Sequence, residues 1–190
     1  MQPVPHHTSP DQLLSPPALE SNYELDAFYG QGKASTLWND KEAWAIRERA
    51  EEDFYAELLR RHGASSVLDV SAASGFHVIP LARAGFRAAA TDGFEGFVTE
   101  GRKNVEDAGL TIPFLNVLWR DLPSIVSSVG TFDAALCLGS SLHHTDLSGV
   151  AELFQNMHAL LNPNGKFIVE QRNYERLFQE RPEHLAHPCG

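Results

Sequence analysis

Cysteine is scarce in this chain of 190 residues, and long apolar runs are missing from it. Its two cysteines, Cys137 and Cys189, do not make a disulfide framework, so a reducing compartment is the simpler expectation. No apolar run approaches the roughly 20 residues that a membrane span needs, which argues against a membrane as partner. The N-terminus lacks the charged-then-apolar layout of a signal peptide, and we therefore expect a cytoplasmic protein.

Clusters of basic residues and a dinucleotide-binding fingerprint are also lacking. The chain has 15 lysines and arginines against 25 aspartates and glutamates, which gives a formal net charge of −10. Nucleic acid is therefore not an expected partner, because a polyanion is bound through clustered positive charge. The absence of G-x-G-x-x-G argues against a nucleotide-dependent oxidoreductase, since that loop cradles the pyrophosphate of a dinucleotide.

The residues that are present predict one globular domain preceded by a tail. The hydrophobic share of 43% and the charged share of 21% are ordinary for a soluble protein, and the length fits one domain. Residues 1–21 hold several prolines among polar residues and predict a flexible tail. Residues 22–190 then form the predicted domain, in which 22–62 precede a sheet core over 63–190.

Helical and strand-like patterns alternate along the domain. Apolar residues at helical spacing predict a helix over 38–62, ended by Gly63, and another from Val150 to Leu161. Short apolar runs predict buried strands. The predicted strands are 66–70, 87–91, 112–118, 132–138 and 166–170, and the remaining predicted elements are helices over 75–84, 95–108 and 123–129, a turn at 162–165 and a short C-terminal helix. This alternation predicts an α/β fold with a doubly wound, mostly parallel sheet.

Ligands of such sheets bind beyond the carboxyl ends of the strands, so the residues there are the candidates for function. The first strand ends in Asp69 and a loop of small residues, 71–75, which lets a ligand approach the backbone. Asp69 either attracts a cationic ligand group or caps the loop. Asp92 ends the second strand and either accepts ribose hydroxyls or caps the next helix. Trp119 follows the third strand and either stacks on a purine ring or belongs to the core.

The last two strands end in a second group of candidates. Gly139, after the fourth strand, would let an acceptor molecule approach the backbone. The adjacent His143 and His144 lack a carboxylate or cysteine at ligand spacing, so no metal is expected. Arg172, after the fifth strand, either forks onto a substrate carboxylate or forms a surface salt bridge.

Together these motifs resemble a known family. The runs Val67-Leu68-Asp69-Val70, Gly75-Phe76-His77 and Asp92-Gly93 resemble class I S-adenosylmethionine-dependent methyltransferases. The stretches 132–141 and Gln171-Arg172-Asn173-Tyr174 look like those of glycine N-methyltransferases and glycine/sarcosine N-methyltransferases. The pattern Trp38…Trp44-Ala45-Ile46-Arg47 is similar to the N-terminal lid of the same enzymes, and the likeness covers roughly residues 25–178.

The resemblance implies a Rossmann-like methyltransferase fold, S-adenosylmethionine as cofactor, and a small amine or amino acid, glycine or sarcosine, as substrate. Arg47 would pair with the cofactor carboxylate, while Tyr29 and Trp38 would close over the cofactor. Asp92 would hold the ribose and Trp119 the adenine. The other residues implied on the cofactor side are Asp69, Ala73, Gly75 and Leu138.

On the acceptor side, the resemblance implies that Gly139, Ser140 and His144 border the substrate. Arg172 would clamp the carboxylate of an amino-acid substrate. No metal is implied.

Three departures from the family pattern accompany this likeness. Ala73 stands where the family usually has glycine, which predicts a tighter cofactor loop. Ser140 replaces a usual asparagine, and Leu118 replaces an acid or amide before the tryptophan. Family members also continue into antiparallel strands that have no counterpart before residue 190. The sequence therefore leaves open a second function, a non-catalytic cofactor-binding protein or an oligomer partner.

Overall fold

The computed structural model describes Trp44 and residues 53–181. The predicted tail over 1–21 and nearly all of the predicted lid over 22–52 lie outside the described residues, so these boundaries stay predictions. The strands are β1 Ser66–Asp69, β2 Arg87–Asp92, β3 Phe114–Asn116, β4 Phe132–Cys137 and β5 Leu161–Val169. The α-helices are α1 Phe54–Arg61, α2 Val78–Arg83, α3 Glu95–Asp107, α4 Val126–Val129, α5 Leu147–Leu160 and α6 Tyr174–Glu180, and two 3-10 helices span Trp119–Ile125 and Ser141–His144.

The described strands form one sheet in the order β3-β2-β1-β4-β5, and all neighbours are parallel. This confirms the predicted doubly wound α/β fold. The winding direction reverses between β1 and β4, which is where a sheet of this kind opens a crevice at the carboxyl ends of its strands.

Helices cover both faces of the sheet, which is why the central strands are largely buried. All four residues of β1 are buried, including Val67 and Leu68, which face opposite sides. One face packs against α1, α2 and α3 through side chains such as Leu59 and Val98. The other face packs against the 3-10 helix and α5, where Leu153 has no exposed surface.

Two predicted elements differ from the structure for local backbone reasons. The predicted helix over 38–62 is not continuous, because Asp53 has a left-handed backbone with φ 60° and α1 begins after it. The predicted turn at 162–165 lies inside β5, whose pairing jumps from Leu161 to Lys166 while β4 advances by two residues. Asn164 has φ 65°, a conformation that asparagine tolerates better than most residues.

The helix predicted over 75–84 is shorter in the structure, where α2 has six residues and Pro80 is the third of them. A proline in the first turn removes an N–H that has no partner within the helix, so it is compatible with a short helix. Within the described residues no helix has both the length and the apolar character required to cross a membrane.

The carboxylate of Asp133 joins the amino ends of three segments that are distant in sequence. Its Oδ2 accepts the backbone N–H and the hydroxyl of both Ser65 and Ser66, at 2.9–3.0 Å. Its Oδ1 accepts Asn162 Nδ2 at 2.8 Å. These hydrogen bonds hold the pKa of Asp133 well below its usual range, with the Asn162 amide as the largest cause.

We expect Asp133→Ala to lower the free energy of unfolding by about 2 kcal/mol, since several charge-assisted hydrogen bonds are lost at a partly solvated site. Because the folded pKa is depressed, this contribution is present above about pH 4, the unfolded value, and is lost as the pH falls further. Urea unfolding of both proteins at pH 7 and pH 3 measures it. Asp121→Ala, at an exposed acid paired with Arg120, is the control and should change stability little; an equal loss there would contradict the assignment.

Candidate functional site

A cavity of about 320 Å³ lies at the carboxyl ends of β1, β2 and β4, beside the point where the winding reverses. Its size is that of a small-molecule site. It is lined by the loop after β1, the end of β2 and its following turn, the start of the 3-10 helix after β3, the turn after β4, and the first half of α5. The lining residues that carry the argument below are Ser71, Ala73, Asp92, Trp119, Gly139 and His144.

Asp92 connects the loop after β1 to the turn after β2. Its Oδ2 accepts the backbone N–H of Ala73 at 2.9 Å, and its Oδ1 accepts that of Phe94 at 3.0 Å. Burial raises the pKa of Asp92 to about 6, although these hydrogen bonds oppose the shift. Each carboxylate oxygen keeps a second lone pair, so Asp92 can still accept two hydroxyl hydrogens from a ligand in the cavity.

Asp69 lies beneath the cavity and does not line it, contrary to the expectation that its carboxylate faces the ligand. The side chain has no exposed surface; Oδ1 accepts the N–H of Ser71 at 3.1 Å, and Oδ2 has no hydrogen-bond partner. Burial raises its pKa to about 6, and nearby His77 partly offsets this. The reason for the difference is that β1 is central and covered on both faces, so its last side chain stays inside the core. Asp69 therefore supports the loop, as the capping alternative proposed.

The indole of Trp119 makes a hydrogen bond to the end of β1 and also forms part of the cavity wall. Its indole Nε1 donates to the backbone oxygen of Val70 at 2.7 Å, which fixes the ring beside the end of β1. The ring itself lines the cavity together with Leu118, a residue that is 40% exposed. The wall that these residues form with Phe94 is apolar and partly aromatic, which suits a planar ring.

The turn after β4 is fixed by hydroxyl and carboxylate groups. Ser71 Oγ accepts the N–H of Leu138 at 3.0 Å, so the loops after β1 and β4 are joined under the cavity. Gly139 has φ 69° and donates its N–H to Glu170 Oε2 at 2.9 Å. Leu138 and Gly139 both line the cavity, and their roles toward cofactor and acceptor stay predictions.

Ser140 and Arg172 lie next to each other, outside the cavity lining. Ser140 has a left-handed backbone with φ 62°, and its buried Oγ accepts the N–H of Arg172 at 2.9 Å. The hydroxyl is thus used to hold the chain after β5. Within residues 53–181 the guanidinium of Arg172 makes no hydrogen bond or ion pair. Its role as a carboxylate clamp stays a prediction.

His144 lines the cavity, and its ring lies 4.2 Å from that of His143. Burial, helped by the neighbouring imidazole, lowers the pKa of His144 to about 4, so the ring is neutral at pH 7. His143 is exposed, and its Nδ1 lies 3.3 Å from the hydroxyl of Tyr174. The described residues contain no group of histidine, cysteine and carboxylate side chains that could hold a metal ion.

The remaining predicted residues fall in two groups. Gly75 does not line the cavity: with φ 98°, it faces Ile79 and Phe114 in the core, where an added Cβ would lie 3.1 and 3.3 Å from them. Tyr29, Trp38 and Arg47 lie outside the described residues. Several lining residues were missed, because they lie in or beside the helices that follow β2, β3 and β4, and helical spacing alone does not mark them. They are Phe97, Arg120, Thr145, Gly149 and Glu152.

Ala73 has a left-handed backbone with φ 46°. The loop predicted to be tight therefore contains an alanine in a conformation that favours glycine. An L-residue in this region costs about 1 kcal/mol more than glycine, while glycine is the more flexible residue in the unfolded chain. We therefore expect Ala73→Gly to raise the free energy of unfolding by about 0.5 kcal/mol. Ala72→Gly, at a buried neighbour without positive φ, is the control and should lower it. Denaturant unfolding compares the two variants, and a loss of stability with Ala73→Gly would contradict the inferred backbone strain at Ala73.

Comparison with known proteins identifies the family. The model of the methyltransferase domain family matches residues 67–165, just over half of the chain. The glycine/sarcosine N-methyltransferase of Parasynechococcus marenigrum (strain WH8102) is 32% identical over 178 residues, which is 92% of this chain and 62% of that protein. The glycine/sarcosine N-methyltransferase of Halorhodospira halochloris is 30% identical over 156 residues, 80% of this chain and 58% of that protein. The chain thus spans about three fifths of the length of these relatives.

A solved structure supports the fold. The PH0226 protein from Pyrococcus horikoshii OT3 has a TM-score of 0.62 with 21% identity, over 74% of this chain and 65% of that one. The family model begins within β1 and ends within β5, so it spans the strands and the loops around the cavity. This chain therefore belongs to the methyltransferase domain family.

Proposed function

We propose that this chain binds S-adenosylmethionine in the cavity and transfers its methyl group to the nitrogen of a small amine, glycine or sarcosine. The observation that carries the proposal is the position of Asp92: a carboxylate with free lone pairs at the end of β2, in a cavity at the reversal of the sheet. The relatives named glycine/sarcosine N-methyltransferase support the choice of acceptor.

The residues around the cavity fit the parts of this cofactor. Asp92 would accept the hydroxyls of its ribose, and Trp119 and Leu118 would enclose its adenine. The loop from Ser71 to Ala73 would hold its methionine end, where the backbone is exposed to the cavity. A carboxylate near a positively charged ligand is favourable, and Asp92 is the acid that faces the cavity on this side.

Bound S-adenosylmethionine supplies an electrophilic methyl group on a sulfonium, so little acid–base chemistry is required of the protein. The contribution of this chain is to position the acceptor in line and to exclude water. His144 is neutral at pH 7, and it can therefore accept a hydrogen bond from an amine without placing a positive charge beside it. Gly139, which also lines the cavity, has no side chain and leaves room for the acceptor.

Arg172 is the proposed partner of the acceptor carboxylate. It follows β5 on the same side of the sheet, and Ser140 fixes its backbone beside the turn that carries Gly139. A guanidinium forms two parallel hydrogen bonds with a carboxylate, which would orient an amino acid.

Titration calorimetry with S-adenosylmethionine and its demethylated product, followed by transfer of labelled methyl to glycine and sarcosine, tests the proposal. We expect binding of both compounds and labelled product from at least one of the two acceptors. Binding without transfer would reject the catalytic function and favour a cofactor-binding protein. If neither compound binds, the assignment of the cavity is wrong.

A further inference from the structure

The turn after β4, residues 138–141, carries Gly139, and the chain after β5 carries Arg172; both residues are proposed to border the acceptor. The parallel pairing of the two strands ends with a hydrogen bond from the Glu170 N–H to Cys137 O at 3.0 Å. Within the described part of the chain no backbone–backbone hydrogen bond joins the two segments beyond that point. Any further connection between the turn and Arg172 therefore depends on side chains.

Two hydrogen bonds between a side chain and the backbone make this connection, and they run in opposite directions. The Gly139 N–H donates to Glu170 Oε2 at 2.9 Å, and the Arg172 N–H donates to Ser140 Oγ at 2.9 Å. Each segment thus holds a backbone N–H of the other. The acceptor of the first bond is a carboxylate, which makes a shorter and stronger hydrogen bond than a neutral group does.

The backbone of this turn requires such support. Gly139 and Ser140 are consecutive residues with left-handed backbones, at φ 69° and 62°. The conformation is disfavoured for an L-residue such as serine, so other contacts must maintain it. Leu138 is held separately, because its N–H donates to Ser71 Oγ at 3.0 Å. The Glu170 carboxylate is what holds the next peptide group of the turn.

The two hydrogen bonds between the segments act on different parts of the site. The bond to Glu170 fixes the orientation of the peptide group before Gly139, which lines the cavity, as does His144. The bond to Ser140 fixes the backbone of Arg172. Loss of the first bond would loosen the turn and leave Arg172 in place, whereas loss of the second would do the reverse.

We propose that Glu170 is a positioning residue for methyl transfer. Through the N–H of Gly139 it holds the turn 138–141, so that an acceptor bound by Arg172 meets the methyl group in line. Glu170 itself does not line the cavity, so it acts through Gly139 and not on the substrate. The inference rests on the proposed function, because it concerns the alignment of that acceptor.

The hydrogen bond can be measured without any activity. Leu138-Gly139 is the one Leu-Gly pair in the sequence, so ¹³C-carbonyl leucine combined with ¹⁵N-glycine selects the amide of Gly139 in an NMR spectrum. We expect Glu170→Ala to speed hydrogen exchange of this amide about tenfold. Glu170→Gln should keep the wild-type rate, because its amide oxygen still accepts. Equal rates in the wild type and Glu170→Ala would overturn the proposal.

Methyl transfer separates positioning from acceptor binding. In Glu170→Ala, kcat for glycine should fall about tenfold while KM changes little, because Ser140 still holds Arg172. Ser140→Ala should instead raise KM, since it releases Arg172 and leaves Gly139 held. Glu170→Gln should recover most of kcat. An unchanged kcat in Glu170→Ala, or no recovery with Glu170→Gln, would contradict positioning through the Gly139 N–H.

Two controls exclude a general loss of structure. Glu175→Ala, at an exposed acid of α6 whose side chain accepts from Gln179 Nε2 at 3.5 Å, should change neither the exchange rate nor kcat. In Glu170→Ala the other glycine amides and the affinity for S-adenosylmethionine should equal those of the wild type. If the wild type transfers no methyl group, the proposed function fails, and the exchange rate of the Gly139 amide alone decides whether Glu170 holds the turn.

Discussion

Replacement of Arg172 by alanine is expected to lower kcat/KM for glycine by about a hundredfold. The guanidinium makes no hydrogen bond or ion pair with the residues over 53–181, so its removal breaks no polar contact there; its backbone N–H, which Ser140 accepts, is kept in alanine. A lost charge-assisted interaction with a carboxylate, worth about 2–3 kcal/mol, gives this factor. Steady-state methyl transfer at varied glycine concentrations measures it.

Two controls separate a role in acceptor binding from a loss of structure. Arg176→Ala, at a neighbouring arginine of α6 that pairs with Glu180 at 2.7 Å, should leave glycine use almost unchanged. The affinity of the Arg172 variant for S-adenosylmethionine should equal that of the wild type. Unchanged glycine kinetics in Arg172→Ala would remove it from the acceptor site, whereas lost cofactor binding would indicate a structural role.

Asp92→Asn is expected to weaken S-adenosylmethionine binding by about a hundredfold, although it is nearly isosteric. Each oxygen of Asp92 accepts a backbone N–H, from Ala73 and from Phe94. In either orientation the amide therefore places its NH₂ against one of these N–H groups. A backbone N–H of the loop and the ligand hydroxyls therefore both lose an acceptor. Each such loss costs about 1–3 kcal/mol. Titration calorimetry gives the ratio of dissociation constants, and Glu106→Ala, an exposed acid of α3, is the control.

The pH dependence of cofactor binding follows from the same carboxylate. Burial raises the pKa of Asp92 to about 6. Below that pH the carboxyl is protonated and loses part of its capacity to accept, so we expect affinity to fall as the pH drops from 7 to 5. The Asp92→Asn variant should lose this dependence. If the affinity of the wild type does not change with pH, or if the variant keeps the pH dependence of the wild type, the assignment of Asp92 to the ribose site is wrong.

The strands and helices were predictable because their signal is local. Each predicted strand has an observed counterpart. Of the stripe from Val150 to Leu161, the residues Leu153, Met157 and Leu160 form the core face of α5, whereas Phe154 is 50% exposed and Leu161 begins β5. The errors lie where the backbone departs from the regular pattern. The left-handed residue Asp53 interrupts a helical pattern that is otherwise continuous, and nothing in the apolar spacing reveals it.

The sequence by itself placed Asp69 and Asp92 at the ends of strands and Trp119 and Gly139 after strands, because an apolar run marks where a strand ends. Only the tertiary structure decided which of them reaches the cavity. The strand order β3-β2-β1-β4-β5 puts β1 at the centre, where helices cover both faces and Asp69 is enclosed, whereas Asp92 faces the opening. Strand order joins residues far apart in the chain, so no local pattern can encode it.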